Sequence, residues 1–236
     1  MKDILQLVTT RIIIFPNDYI PYSHLMRPDF INHIVKKYKF KKQEMPTDLY
    51  SPSAPQLIVF HGGEFNFEDK MIIVHTLQFE DRKIILECEA TTQVLEQVRD
   101  KIKEDIIKFD PKQSFNFDDA VYQTDETFCV VILDVDFMDV YSKKFIDFIN
   151  KNFAPRLKHD FLEIIPKNMR FTVEFKPDLN LLQNESITLS PKELVIEPRT
   201  KTGIKKKTFQ TKSSFDSDTH LKMLEEFEKT FKEKKK

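Results

Sequence analysis

Glycine is nearly missing from this chain of 236 residues, which holds only Gly62, Gly63 and Gly203, against an average usage of about 7%. A backbone that closes around phosphate needs several glycines at set spacing, so neither a Walker-type loop nor a dinucleotide fingerprint can be written. Tryptophan is absent, and the only cysteines are Cys88 and Cys129. Both lie in apolar runs of strand character, where a thiol behaves as a small hydrophobe, so no disulfide framework is expected. There is no Cys-x-x-Cys, no His-x-x-x-His and no Gly-x-Ser-x-Gly, which removes common zinc sites and the α/β-hydrolase nucleophile. No uncharged apolar run approaches the ~20 residues that span a bilayer, and Met1-Lys2-Asp3-Ile4 opens no signal-peptide core. A soluble, cytoplasmic protein without membrane contact is expected.

Phenylalanine, by contrast, is abundant. The 22 Phe and 6 Tyr sit within a 40% hydrophobic composition, so Phe is the expected volume filler of a sizeable core. The 37 basic and 38 acidic side chains leave a formal net charge of -1. That balance supplies no overall field for nucleic acid or an anionic membrane, and any such binding needs a local patch.

The most strongly patterned stretch is Thr127 to Asp136, Thr-Phe-Cys-Val-Val-Ile-Leu-Asp-Val-Asp. Alternate strand residues face opposite ways, so Phe128, Val130 and Ile132 share a face with Asp134 and Asp136, and Cys129, Val131, Leu133 and Val135 line the other. Both faces are apolar until the end, which predicts an interior strand. Ahead of it, a strand over Arg11–Phe15 ends at Pro16, and Pro28 opens a helix in which Phe30, Ile31, Ile34, Val35 and Tyr38 recur at helical spacing. Strands follow at Gln56–His61, Met71–Phe79 and Lys83–Ala90, with Met71, Ile73, His75, Leu77 and Phe79 on one face and His61-Gly62-Gly63-Glu64 as a hairpin turn. Thr91 or Thr92 caps a helix carrying Val94, Leu95, Val98, Ile102 and Ile106, which Asp110-Pro111 stops. Beyond the central strand come a helix over 139–151 with Tyr141, Phe145, Phe148 and Ile149 inward, strands at Phe161–Ile165, Arg170–Lys176 and Ser186–Glu197, and a last helix over 218–232.

The order strand, helix, three strands, helix thus occurs twice. It predicts an α+β fold, a mixed and largely antiparallel sheet with helices, built as two similar β-α-β-β-β-α halves or as one continuous sheet. The halves comprise residues 1–110 and residues 127–198 with 215–236. A polar linker at 111–126 joins them, and a basic loop occupies 199–214.

Asp134 and Asp136 are the sharpest candidates for chemistry, because carboxylates at i and i+2 of a strand lie on one side about 6 to 7 Å apart. The string Val-Ile-Leu-Asp-Val-Asp-Phe resembles the metal-binding strand of polymerase palms and nucleotide cyclases. That resemblance implies Mg²⁺ held by Asp134 and Asp136 for nucleotidyl transfer. Asp139 follows and equally suits a helix cap. Phe-Thr-Val-Glu-Phe-Lys, with Asp160 upstream, resembles the PD-(D/E)xK nucleases, which implies Glu174 as a metal ligand and Lys176 polarising the water. Here Pro177 ends the strand where that family continues into a helix.

In the basic segment, Arg199, Lys201, Lys205, Lys206, Lys207 and Lys212 surround Phe209, a pattern suited to phosphate and base contact. Lys205, Lys206 and Lys207 are its candidate nucleic-acid contacts, set against a plain solvated loop. Lys36, Lys37, Lys39, Lys41 and Lys42 complement the dipole at a helix end. His75, between Ile73 and Leu77, fits a core or interface histidine. No complete catalytic set emerges, and Phe-heavy strand faces can supply interfaces. The leading expectation is a cytoplasmic, non-enzymatic subunit, without cofactor, that binds a protein partner or associates with itself. The alternative is a Mg²⁺-dependent enzyme acting on nucleotides or nucleic acid through Asp134 and Asp136, or through Glu174 and Lys176.

Overall fold

The computed structural model describes residues 1, 3–16, 25–45, 57–80, 82–109, 116–152, 169–173, 192–199 and 207–232. In chain order they form β1 (Asp3–Ile14), α1 (Pro28–Tyr38), β2 (Lys42–Glu44), β3 (Leu57–Phe67), β4 (Lys70–Glu80), β5 (Lys83–Cys88), α2 (Thr92–Phe109) and β6 (Tyr122–Ile132). The series continues with α3 (Lys143–Asn152), β7 (Met169–Val173), β8 (Lys192–Pro198), β9 (Thr208–Ser213) and α4 (Ser217–Phe231). Every described strand register is antiparallel, and the fold class is α+β. Among the described residues no helix is long and apolar enough to cross a membrane.

The chain divides into two compact units. One comprises Leu7–Thr127 with Phe215–Asp218; the other comprises Met1–Gln6, Phe128–Ser214 and Thr219–Lys236. In the first, the strands run in the order β2-β3-β4-β5-β1-β6. Its core forms because two periodicities meet. Helical spacing brings Phe30, Ile31, Ile34 and Tyr38 of α1 and Leu95, Val98, Ile102 and Ile106 of α2 onto inward stripes. Strand alternation brings Ile13, Ile58, Phe60, Leu77, Phe79, Ile84, Leu86 and Cys88 against them. Phenylalanines fill the volume as expected, with Phe60 edge-on to Phe79 at 6.5 Å and Phe30 edge-on to Phe79 at 6.3 Å. Helix α1 begins with Pro28 in its first turn and ends at Lys39, whose left-handed φ of 50° lets its amide return to the Val35 carbonyl.

Three polar devices fasten this unit. Asp105 on α2 is buried and accepts from Tyr38 Oη at 2.7 Å, Lys37 Nζ at 2.6 Å and the His33 ring at 2.9 Å, pinning α1 to α2. Burial alone would raise its pKa, but these donors outweigh that cost and hold the carboxyl below its ordinary range. Arg11, also buried, makes a bidentate contact to Asp125 at 2.8 and 3.1 Å and reaches Glu96 on α2. Burial opposes the Arg11 charge, and the two carboxylates more than compensate, leaving its pKa raised. At the third site, two helix N-termini cap each other: the Thr92 amide donates to Ser217 Oγ at 2.9 Å and the Ser217 amide to Thr92 Oγ1 at 2.8 Å.

Sheet geometry departs from the sequence expectations in two instructive places. The run His61-Gly62-Gly63-Glu64 is not a hairpin turn. It lies inside β3, with Gly62 at φ +66°, and the turn comes at residues 68–69. Gly63 is there for space, since a Cβ would lie 2.5 Å from the Phe40 ring. Opposite it, the β4–β5 register shifts between Val74 and Thr76. This bulge flips the alternation, so Leu77 and Phe79 are in the core while Met71 and Ile73 are exposed. The five residues Met71, Ile73, His75, Leu77 and Phe79 therefore do not share one face.

The second unit carries the strand order β6-β9-β8-β7. Strand β6 is the spine expected near Thr127, but it begins at Tyr122 and ends at Ile132. It stops there because the Leu133 amide turns to the Lys207 carbonyl at 3.0 Å and the Asp134 amide to a Glu228 side chain at 2.6 Å. The 199–214 segment is not all loop, since β9 occupies Thr208–Ser213 and buries Phe209, Thr211 and Ser213. The helix expected over 139–151 forms from Lys143, after a 3-10 turn at Phe137–Val140, and Phe148 is exposed rather than inward. The strand expected at Phe161–Ile165 lies outside the described residues. Cys88 and Cys129 are both free and buried, and burial raises both thiol pKa values, Cys129 to about 12.

Candidate functional site

Two places combine exposure with unusual side-chain chemistry. The first is the end of β6 in the second unit. Asp134 lies beyond the strand, at a bend, so the i, i+2 strand spacing on which a paired-carboxylate site rests does not hold for Asp134 and Asp136. Lys207 Nζ contacts one Asp134 oxygen at 2.7 Å and Lys232 Nζ the other at 3.1 Å. A divalent cation at Asp134 must displace both ammonium groups. Behind it, Glu228 accepts from the Asp134 amide through one oxygen and pairs with the Met1 ammonium through the other. Burial pushes the Glu228 pKa up, while these donors and Lys232 bring it below its ordinary value.

This cluster joins residues assigned above to different roles. Asp134, a candidate metal ligand, and Lys207, a candidate nucleic-acid contact, form one ion pair. Lys207 adopts a left-handed φ of 54° as the chain enters β9. Asp136 is exposed and its carbonyl accepts the Asp139 amide at 3.0 Å, opening the 3-10 turn. Lys205, Lys206, Asp160, Glu174 and Lys176 lie outside the described residues. Among the described residues no group of three or more His, Cys, Asp or Glu side chains comes together as a metal site. Among the described residues of this unit one serine–histidine contact occurs, His220 Nδ1 to Ser213 Oγ at 2.7 Å, with Nε2 on Thr211 Oγ1 at 2.8 Å. His220 is fully buried, and burial lowers its pKa to about 4. Closed to solvent and neutral, it ties α4 to β9 and has no path to a substrate.

The second place is the sheet face of the first unit that points away from its core. Register sets its rows. Glu44, Val59, Gln78, Ile85 and Ile12 follow one another across β2, β3, β4, β5 and β1; Leu57, Glu80, Lys83 and Ile14 form the next row. Past the bulge, Ile73 and Met71 extend it, 36% and 58% exposed. Ile12, Ile14, Leu57 and Ile85 are half-buried and stand outside the core that α1 and α2 cover. Its charges are compensated in place: Glu80 meets Lys83 at 2.8 Å and Glu44 meets Lys42 at 2.5 Å. Near the bulge His75 contacts Glu89 at 3.1 Å, so this histidine belongs to the surface rather than the core.

The aliphatic face was not singled out from the sequence, although a signal was there. Ile84-Ile85-Leu86 and Ile12-Ile13-Ile14 are apolar on both sides of their strands, more than a one-sided core requires. No family model matches the chain, and no curated protein or solved structure matches it.

Proposed function

We propose that the chain is a non-enzymatic, cytoplasmic binding subunit that docks a protein partner on the sheet face of the unit Leu7–Thr127 opposite α1 and α2, which carries no helix among the described residues. The observation that carries this reading is the band of Ile12, Ile14, Leu57, Ile73, Ile85 and Met71 on the side of the sheet opposite α1 and α2. Antiparallel sheets tolerate water on one face when that face is polar. Here aliphatic side chains recur in adjacent rows, interleaved with Gln78, Glu80 and Lys83, a mixture of apolar and polar groups of the kind found at protein interfaces.

Charge decides the class of partner. A nucleic acid is held by cations that neutralise phosphates, whereas Lys83 and Lys42 on this face already meet Glu80 and Glu44. A protein with an apolar patch of its own matches a face whose charges are already balanced.

The test is affinity capture from the native host with the full chain and with a Met71→Lys/Ile73→Lys variant. Both residues are exposed, so the variant keeps its core. The reading expects a stoichiometric protein partner lost in the variant. Equal capture by both forms would place binding elsewhere.

A further inference from the structure

The lysines at the end of α1 exceed what a helix terminus accounts for. Lys36 and Lys37 lie in its last turn, but Lys39 is its cap, Lys41 follows and Lys42 opens β2. The helix dipole acts within that last turn, so a dipole reading of the five covers only two of them. All five are exposed, Lys39 and Lys42 with 64% and 67% of the side chain open to solvent. Lys37 is committed to Asp105 and Lys42 to Glu44. Lys39 meets Glu64 at 2.9 Å, and Lys41 acts on that same carboxylate electrostatically. Among the described residues no carboxylate forms an ion pair with Lys36 or Lys41.

Lys41 is anchored up to its ammonium group. Its amide donates to the His61 carbonyl at 3.0 Å, and its stem lies beside Gly62, where an added Cβ would come 3.6 Å from Lys41 Cδ. A stem laid on the sheet with its head in water has little freedom left to lose when an anion arrives. Glu104, which lies near Tyr38, is taken by Lys101 at 2.9 Å. Five ammonium groups therefore face three carboxylates, Asp105, Glu64 and Glu44, a local surplus of two cations. The chain as a whole carries a net charge of -1.

We propose that Lys36, Lys39 and Lys41 form a cationic edge that holds the sugar-phosphate backbone of a nucleic-acid duplex. Protein interfaces are enriched in aromatic side chains, Met and Arg and depleted of Lys, whereas lysines hold phosphates as point charges. Single strands need exposed aromatic platforms for their bases, and the aromatics of this segment, Tyr38 and Phe40, are only 2% and 6% exposed. No arginine, the commonest specific reader of guanine edges, lies between residues 36 and 44. Contact is therefore to the backbone and independent of base sequence. Lys39 gives up only an exposed pairing with Glu64, which is of the weak kind. None of the three lysines belongs to the aliphatic docking face.

Fluorescence anisotropy of a labelled random-sequence DNA duplex, titrated with the full chain between about 50 and 200 mM salt, tests this. The variant is Lys36→Gln/Lys41→Gln, with circular dichroism confirming that it is folded; glutamine keeps part of each stem and removes the charge. The logarithm of the association constant should fall linearly with that of the salt concentration, by about 0.9 for each phosphate neutralised. The variant should bind more weakly, with a slope shallower by about 1.8. Lys222→Gln/Lys229→Gln, which removes two exposed lysines of α4, should bind like wild type. No binding of the duplex by wild type at the lowest salt, or an equal change of slope in both variants, would overturn the proposal. So would tighter binding of the unpaired strand, or a labelled polyglutamate bound as tightly as the duplex, which would assign the edge to an acidic protein.

Discussion

Removing the Asp105 carboxylate should show how firmly α1 and α2 are held on their side of the sheet. In Asp105→Ala, the Tyr38 hydroxyl, only 2% of whose residue is exposed, loses its one described acceptor. An unsatisfied buried donor costs about 1–3 kcal/mol. The Lys37 side chain is 37% exposed and regains water, so its lost pairing adds at most about 1 kcal/mol. The total is about 1–4 kcal/mol. Asp105→Asn keeps an oxygen for Tyr38 and removes only the charge, which predicts a smaller loss of about 1–2 kcal/mol. Urea unfolding at pH 7 measures both, as a fall in midpoint larger for Ala than for Asn.

The pH dependence follows from the lowered Asp105 pKa. A carboxyl held below its unfolded value of 3.8 stabilises the fold above that pH and loses the contribution as pH falls through the lower folded value. The gap between wild type and Asp105→Asn should therefore be full at neutral pH and shrink below about pH 4. An alanine variant as stable as wild type, or an asparagine variant weaker than alanine, would refute the idea that this carboxylate is the pin.

Two further outcomes follow from the geometry. Gly63→Ala must push the Phe40 ring, 2.5 Å from the new Cβ, and overpacking of this kind costs about 1–3 kcal/mol; a lower thermal midpoint with unchanged secondary structure is expected. His220 should stay neutral until about pH 4 in an NMR titration. Because its folded pKa lies below the unfolded value of 6.5, its burial favours the fold fully above pH 6.5, and that advantage declines as pH falls toward 4. Titration near 6.5 would mean that the ring is not enclosed between Thr211 and Ser213.

The parts of the fold written in local periodicity were legible from residues alone. Helix α1 shows its 3.6-residue stripe and its proline start, and β5 alternates cleanly through Ile84, Leu86 and Cys88. What was not legible depends on partners distant in sequence. The end of β6 is decided by Lys207 and Glu228, far along the chain, so a run that is apolar through Val135 looks like strand for longer than it is. The β4 bulge is a register choice made against β5, and nothing in Met-Ile-Ile-Val-His-Thr-Leu announces it. Asp134 reads as a metal ligand from its i, i+2 spacing to Asp136, a spacing that holds only while the strand continues. The two lysines that hold it arrive from β9 and the end of α4.

The bulge also decides where the exposed aliphatic residues go, and hence whether the sheet face opposite α1 and α2 is a docking surface. Carbene footprinting of the captured complex against the free chain addresses it directly. The account predicts that labelling of Ile12, Met71, Ile73 and Ile85 falls on partner binding while exposed Phe148, in the other unit, is labelled as before. Unchanged labelling of those four residues in a complex that has formed would contradict it.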